Sequence, residues 1–417
     1  MIDNRPTSVP IWRVTEPSEQ AHAPEWMSFH VLKEGQRCPL SVALQRSSYR
    51  QLWDGSGYPT RPNAAAVSGI VVHEAAEAVL KVLAEAGVSS LMQPTAMKVL
   101  KELGGFTKVL ESSLGEFFAG QRNNPRFEQF RDDLFRNLHL KLPQMRATLQ
   151  ALLVSHIWAP AASVAETQQK KTSSLIREKS VQRTSLGSGT FVEIDLQDSQ
   201  AKWRGRVDLL NVDDDGCDIT DLKSGVGLEE HKEQLLVYAM LWNKDTDRNP
   251  TQVPIRSLQI VYANGAVAVA IPSQTQMQAF RTALIESSEL VRSALNAPVV
   301  MANPSQANCR YCPVKLLCGP YWNALPSISG DEHLSDNQVR MIEARGDRSW
   351  LATITASASF PINQTVIVRN YEGGKTFWHE LSVGLSVRLT NGLLSSIDEN
   401  ETPVINLSMM SEALFVE

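Results

Sequence analysis

The chain has 417 residues, 43% of them hydrophobic and 20% charged, with a formal net charge of −5. That profile excludes a disordered or fibrous protein and gives room for two or three domains with cores of their own. No apolar run reaches the roughly 18 residues of a membrane span and the opening segment lacks the basic-then-apolar order of a signal peptide, so the expected location is cytoplasmic, with no membrane partner. The net charge gives no global attraction to nucleic acid, yet it is compatible with a local basic groove beside a carboxylate-rich site.

Residues 1–27 are rich in Pro and polar side chains and read as a flexible arm. Helical spacing runs from Ser28 to Tyr49 with a break at Cys38-Pro39, and again from Val67 to Ala86. Residues 92–158 are nearly all helical in pattern, broken at Gly104-Gly105 and Asn123-Asn124-Pro125, so a helical insertion is expected over about 90–185. Its last part carries Lys170, Lys171, Arg177 and Lys179, which read as a solvated linker or as a DNA-facing strip.

From Thr190 the texture changes to alternating runs, FVEIDL, KWRGRVDLLNV and CDITDLKSG, with a turn at residues 213–216. A helix is predicted from Glu229 to Trp242, then strands at SLQIVYA and AVAVAIP, then a helix from Thr275 to Leu295. Beyond Trp322, WLATITAS, QTVIVRNY, HELSVGLSVRLTNG and VINLSM read as short strands. The expected fold is α/β, a mixed sheet flanked by helices over 28–325, followed by a small all-β, OB-like barrel over 330–417.

Phosphodiester hydrolysis needs a cation that offsets charge on the phosphate oxygens, an activated water and an ammonium near the developing charge. Mg²⁺ or Mn²⁺ with oxygen ligands suits the first two tasks. Asp221 and Lys223 are two apart on one predicted strand and share a face, while Asp208 lies on the strand before it. Gln234 and Tyr238 are four apart on the next helix. Standing alone, an Asp-x-Lys pair is an ordinary surface ion pair and His73 an ordinary helix histidine; their company gives them weight.

These residues, His73 in GIVVHEAAE, Asp208 in GRVDLL, Asp221 and Lys223 in DLKSG, and Gln234 with Tyr238 in QLLVYA, resemble the RecB-like branch of the PD-(D/E)xK nucleases, which includes the CRISPR-adaptation nucleases. The resemblance implies that His73, Asp208, Asp221 and the carbonyl of Leu222 ligate the metal, with Glu193 as a further acidic position. It implies that Lys223 positions the attacking water and that Gln234 and Tyr238 support the site.

Cys309, Cys312 and Cys318 form a Cys-x2-Cys-x5-Cys run, one thiolate short of a tetrahedral site. Cys38 precedes a proline, as Cys312 does. In some members of the resembled branch one N-terminal and three C-terminal cysteines hold a [4Fe-4S] cluster, and the resemblance implies the same here; ligand type alone leaves Zn²⁺ as the alternative. Cys217, beside the turn, reads as a buried strand residue. In the C-terminal module Trp350, Tyr371, Phe377 and Trp378 lie among Arg348, Arg369, Lys375 and Arg388, and read either as barrel core or as a stacking surface for single strands.

The expectation is therefore a metal-dependent DNA nuclease of repair, recombination or anti-phage defence, acting on single-stranded DNA or single-stranded ends. No Walker A loop is present, so a helicase would be a separate subunit. The alternative is a non-cleaving DNA-binding or assembly subunit that keeps the fold and the cluster.

Overall fold

The computed structural model describes residues 11–14, 16–88, 90–128, 130–154, 183–225, 227–328, 334–370, 381–395, 402–408 and 411–416. The basic strip at 168–182 and the aromatics Tyr371, Phe377 and Trp378, with Lys375, lie outside the described residues.

A two-residue strand β1 (Ile11–Trp12) precedes helices α1 (Phe29–Arg37) and α2 (Pro39–Arg46), which Cys38 separates. Cys38 is extended, with φ −161°, and Pro39 starts α2, where its missing N–H costs nothing. Helix α3 (Ala64–Glu85) starts at Asn63, whose side chain accepts a hydrogen bond from the Ala66 N–H at 2.8 Å. Five more helices follow: α4 (Pro94–Glu102), α5 (Gly105–Gly120), α6 (Pro125–Glu128), α7 (Arg131–Leu140) and α8 (Leu142–Val154).

The first sheet comprises β2 (Gly189–Asp198), β3 (Trp203–Val212), β4 (Cys217–Lys223), β5 (Ile255–Tyr262) and β6 (Gly265–Val269), adjacent in that order. All neighbours are antiparallel except β4 and β5, which are parallel because α9 (Glu229–Lys244) crosses between them. Two cores cover its two faces. One packs β2–β5 against α1, α2, α9 and α10 (Gln274–Leu295). There the buried Trp203 donates its indole N–H to Ser288 of α10 at 2.9 Å. The other core joins α3 and the helices that follow it to Leu209, Leu222 and Val261. The segment expected as an insertion thus supplies one helical layer of an α/β/α sandwich.

Short helices α11 (Gln306–Cys309) and α12 (Gly319–Ala324) bracket the cysteine run and lead to the second sheet. It contains β7 (Leu334–Ala344), β8 (Ser349–Ser357), β9 (Thr365–Arg369), β10 (Ser386–Ser395), β11 (Val404–Asn406) and β12 (Glu412–Val416). The order β7-β8-β9-β11-β10 returns to β7 through a β10–β7 pairing, so five strands close a barrel, with β9 and β11 parallel. Strand β12 extends β10, and β1 pairs in parallel with β12.

Strands β7 and β12 are absent from the sequence expectation. Strand β7 opens on Ser335, Asp336 and Asn337, a loop-like sequence that is buried because its groups satisfy each other and their neighbours. The Asn337 amide donates to Ser335 at 2.6 Å, Ser357 donates to Asn337 at 2.7 Å, and the Tyr321 hydroxyl donates to Asp336 at 2.7 Å. Trp350 belongs to the barrel core, which excludes it as a stacking platform: Trp350, Ala352, Ile354 and Ala356 alternate inward along β8. Arg388 is half-buried, over the Trp322 ring. No described helix is long and apolar enough to cross a membrane.

Candidate metal and active site

Cross-strand register assembles the acidic residues. Val192 pairs with Leu209 and Ile194 with Val207, which sets Glu193 opposite Asp208. Leu209 pairs with Thr220, and one step further Asp208 faces Asp221. The Leu222 N–H donates to Asp208 Oδ2 at 2.6 Å and fixes that carboxylate.

From the opposite side α3 contributes His73, whose Nε2 lies 3.0 Å from Glu193 Oε1 and 3.6 Å from Asp208 Oδ1. Gly69, one turn earlier, permits the approach: a Cβ there would sit 3.0 Å from Ser224 Oγ in the loop after β4. Glu193 has φ +56° in mid-strand, a left-handed conformation that costs a non-glycine residue on the order of 1–3 kcal/mol. Two flanking strand pairs hold it in place, and the strain falls where the carboxylate meets His73.

Helix α9 supplies the remaining groups. It packs closely on β3 because Gly205 has no side chain; a Cβ there would meet the rings and methyls of Tyr238 and Leu241 at 3.0 Å. Lys223 Nζ lies 3.1 and 2.8 Å from the two Asp221 oxygens and donates to Gln234 Oε1 at 3.0 Å. The Gln234 amide in turn donates to the Tyr238 hydroxyl at 2.7 Å. The structure thus brings together His73, Glu193, Asp208, Asp221, Leu222, Lys223, Gln234 and Tyr238.

The electrostatics are those of a site built for a cation. Burial, then repulsion by Asp221, raises the Asp208 carboxyl to about 7, and burial pushes Asp221 upward as well. The hydrogen bond to Glu193, aided by Asp208, raises His73 to about 9. Asp221 is fully buried, and its Oδ2, although close to Lys223, accepts no hydrogen bond. His73, Glu193 and Asp208 also offer donor atoms all within 4.8 Å of one another. A clustered nitrogen and oxygen donor set beside a buried carboxylate fits a hard divalent cation.

A cation that took His73 as a ligand would displace its proton, so such binding would release a proton and strengthen as pH rises toward about 9. Calorimetric titration with Mn²⁺ is expected to show affinity increasing about tenfold from pH 7.5 to 8.5, and His73→Gln should flatten that dependence.

His231 and Tyr262 were not expected at the site. His231 lines the same groove as His73 and Lys223, and its Nδ1 lies 2.9 Å from the Tyr262 hydroxyl. A sequence signal was present, since His231 precedes Gln234 by three residues and shares its helix face.

Cys38, Cys309, Cys312 and Cys318 line one pocket between α2 and the segment 302–321. None forms a disulfide, and Cys217 is buried in β4 away from this pocket. The Asn303 N–H lies 3.4 Å from Cys38 Sγ, and Ser41 Oγ lies 3.4 Å from Cys312 Sγ. Burial raises the Cys318 thiol to about 12 and pushes Cys309 and Cys312 in the same direction. Four thiols lining one pocket fit a thiolate-bound metal centre, whose positive charge would supply what burial withholds.

No curated protein matches the chain. Among solved structures, the p204 HINb domain is 11% identical with a TM-score of 0.16, over 57% of this chain and 100% of that one. A murine DNA binding protein bound with ds DNA is 8% identical with a TM-score of 0.16, over 55% and 95%. Similarities this weak support no shared fold. A family model, by contrast, matches residues 27–319, the whole span from the strand-entry segment before α1 to the last cysteine. By that match the chain belongs to the PD-(D/E)XK nuclease superfamily.

Proposed function

We propose that this chain is a metal-dependent deoxyribonuclease of the RecB-like branch, and the donor atoms of His73, Glu193 and Asp208, all within 4.8 Å of one another beside the buried Asp221–Lys223 pair, are the observation that carries the reading. His73, Glu193, Asp208, Asp221 and the Leu222 carbonyl would hold Mg²⁺ or Mn²⁺. When bound, such a cation offsets charge on the phosphate oxygens and makes water a stronger nucleophile.

The protein groups do the positioning. Lys223 has one donor left beyond Asp221 and Gln234, and uses it to hold the attacking water, while its charge stabilises the charge growing on the phosphate. Gln234 aims Lys223, and Tyr238 fixes the Gln234 amide. The assay is cleavage of end-labelled single- and double-stranded DNA with Mg²⁺ or Mn²⁺ against EDTA. Metal-dependent cutting is expected; folded, metal-loaded protein that binds DNA without cutting it would point to a non-cleaving subunit.

The four-cysteine pocket is assigned a [4Fe-4S] cluster on the resemblance of its ligand order. Anaerobically purified protein is expected to be brown, with iron and acid-labile sulfide in equal amounts, and Cys38→Ser to be colourless and less stable. A colourless protein containing zinc would overturn the assignment. The five-stranded closed barrel supports the OB-like reading and hence a contact to single-stranded DNA or to a helicase partner in repair or defence.

A further inference from the structure

We propose that His231 is a substrate-contacting residue of this site, its Nε2–H donating to a non-bridging phosphate oxygen of the bound DNA strand; the inference rests on the nuclease reading and deepens it. His231 lies in the first turn of α9 and lines a groove of about 540 Å³ with His73, Glu193, Lys223 and Ser224. A groove of that size accepts a nucleotide-sized ligand.

The tautomer follows from Tyr262. That residue pairs with Lys223 across β4 and β5 and is buried, and among the described residues its hydroxyl has His231 Nδ1 as its hydrogen-bond partner. In the proposed arrangement Tyr262 donates its phenolic proton, Nδ1 accepts, and the imidazole proton sits on Nε2. Burial and the neighbouring Lys223 hold the ring below its ordinary pKa, which keeps it neutral with that one donor.

Gln234 and Tyr238 occupy the same face of α9 and are committed to Lys223 and to each other. His231 is the member of the trio that lines the groove. An N–H donor beside an ammonium, at the mouth of a carboxylate site, matches a phosphodiester and not a free cation.

The test compares His231→Ala, His231→Gln and His231→Asn in the full chain, reading kcat/KM with Mg²⁺ and oligonucleotide affinity with Ca²⁺. The alanine variant is expected to lose about ten- to a hundredfold in both. Glutamine places an amide N–H near the Nε2 position and should recover most of the loss. Asparagine reaches only the Nδ1 position, keeps the Tyr262 partner and should not. A methylphosphonate at the scissile position should weaken the unmodified protein but add little to the alanine variant. Mn²⁺ affinity and melting temperature should stay within error throughout.

Equal behaviour of all three variants and the unmodified protein overturns the assignment. So does a loss that tracks melting temperature, since that marks a structural role. Binding without cleavage in the unmodified protein removes the nuclease reading alone, because the variant affinities still test His231. Failure of the unmodified protein to bind or cut DNA overturns both.

Discussion

Asp221→Asn is expected to abolish metal-dependent cleavage, by about a thousandfold or more, while making the metal-free protein more stable. Burial raises both carboxyls and Asp221 raises Asp208 further, so the unliganded site carries an electrostatic cost that Lys223 and His73 offset only in part. An amide of the same shape removes that cost together with the ligand oxygen. The expected signature is a higher melting temperature in EDTA, no further rise on adding Mn²⁺, and no cutting. Lys223→Ala should separate the roles: it keeps the ligands, loses roughly a hundred- to a thousandfold in kcat/KM, and is more strongly stabilised by Mn²⁺ than the unmodified protein. Equal activity in both variants and the parent would place the chemistry elsewhere.

Arg126→Ala is expected to destabilise the fold by about 3–5 kcal/mol, a large share of the total for a domain of this kind. Arg126 is 4% exposed and makes a bidentate pair with Glu412 at 2.8 and 2.7 Å. Its third nitrogen donates to the carbonyls of Pro59 and Pro313, both at 3.0 Å. One guanidinium thereby ties the helical layer, the chain before α3, the cysteine run and β12 of the second sheet. Removing it takes the bidentate partner from Glu412, 3% exposed, while Arg61 lies farther off at 3.6 Å. The double variant Arg126→Met with Glu412→Gln should recover much of the loss, because no uncompensated charge stays buried. Chemical denaturation of the parent, Arg126→Met, Glu412→Gln and the double variant in a double-mutant cycle measures the coupling; near-additive losses would show that the pair contributes no more than its separate parts.

The β3–β4 hairpin is legible in the sequence because its rules are local. Residues two apart on a strand share a face, so Asp221 and Lys223 point together whatever the rest of the chain does, and a four-residue turn sets Asp208 opposite them. The helix residues Gln234 and Tyr238 follow the same logic with a spacing of four.

What the sequence hides depends on distant partners. Strand β7 reads as polar because its buried hydroxyls and amides are satisfied by Tyr321 and Ser357, which no local pattern announces. Glu412 in β12 reads as a surface residue because its partner lies 286 positions earlier. The left-handed turn at Glu193 is a backbone property that an acidic side chain does not advertise. His231 on α9 is partnered by Tyr262 on β5, and Trp350 is inward by barrel alternation that becomes definite only once the ring of strands closes.

The pairing of β1 with β12, with Ile11 opposite Ala413, has a consequence for how the protein is made. About 400 residues separate the two strands, and a ribosome adding about 5–20 residues per second takes roughly 20–80 s to cover that distance. During that interval the early strand has no edge to join, and Arg126 waits equally for its carboxylate. Residues 411–416 therefore complete a pairing begun by residues 11–14, which stays unmade until they are synthesised. Nascent chains stalled before residue 411 should accordingly be cut by protease within residues 11–14, while chains carried past residue 416 should be protected there.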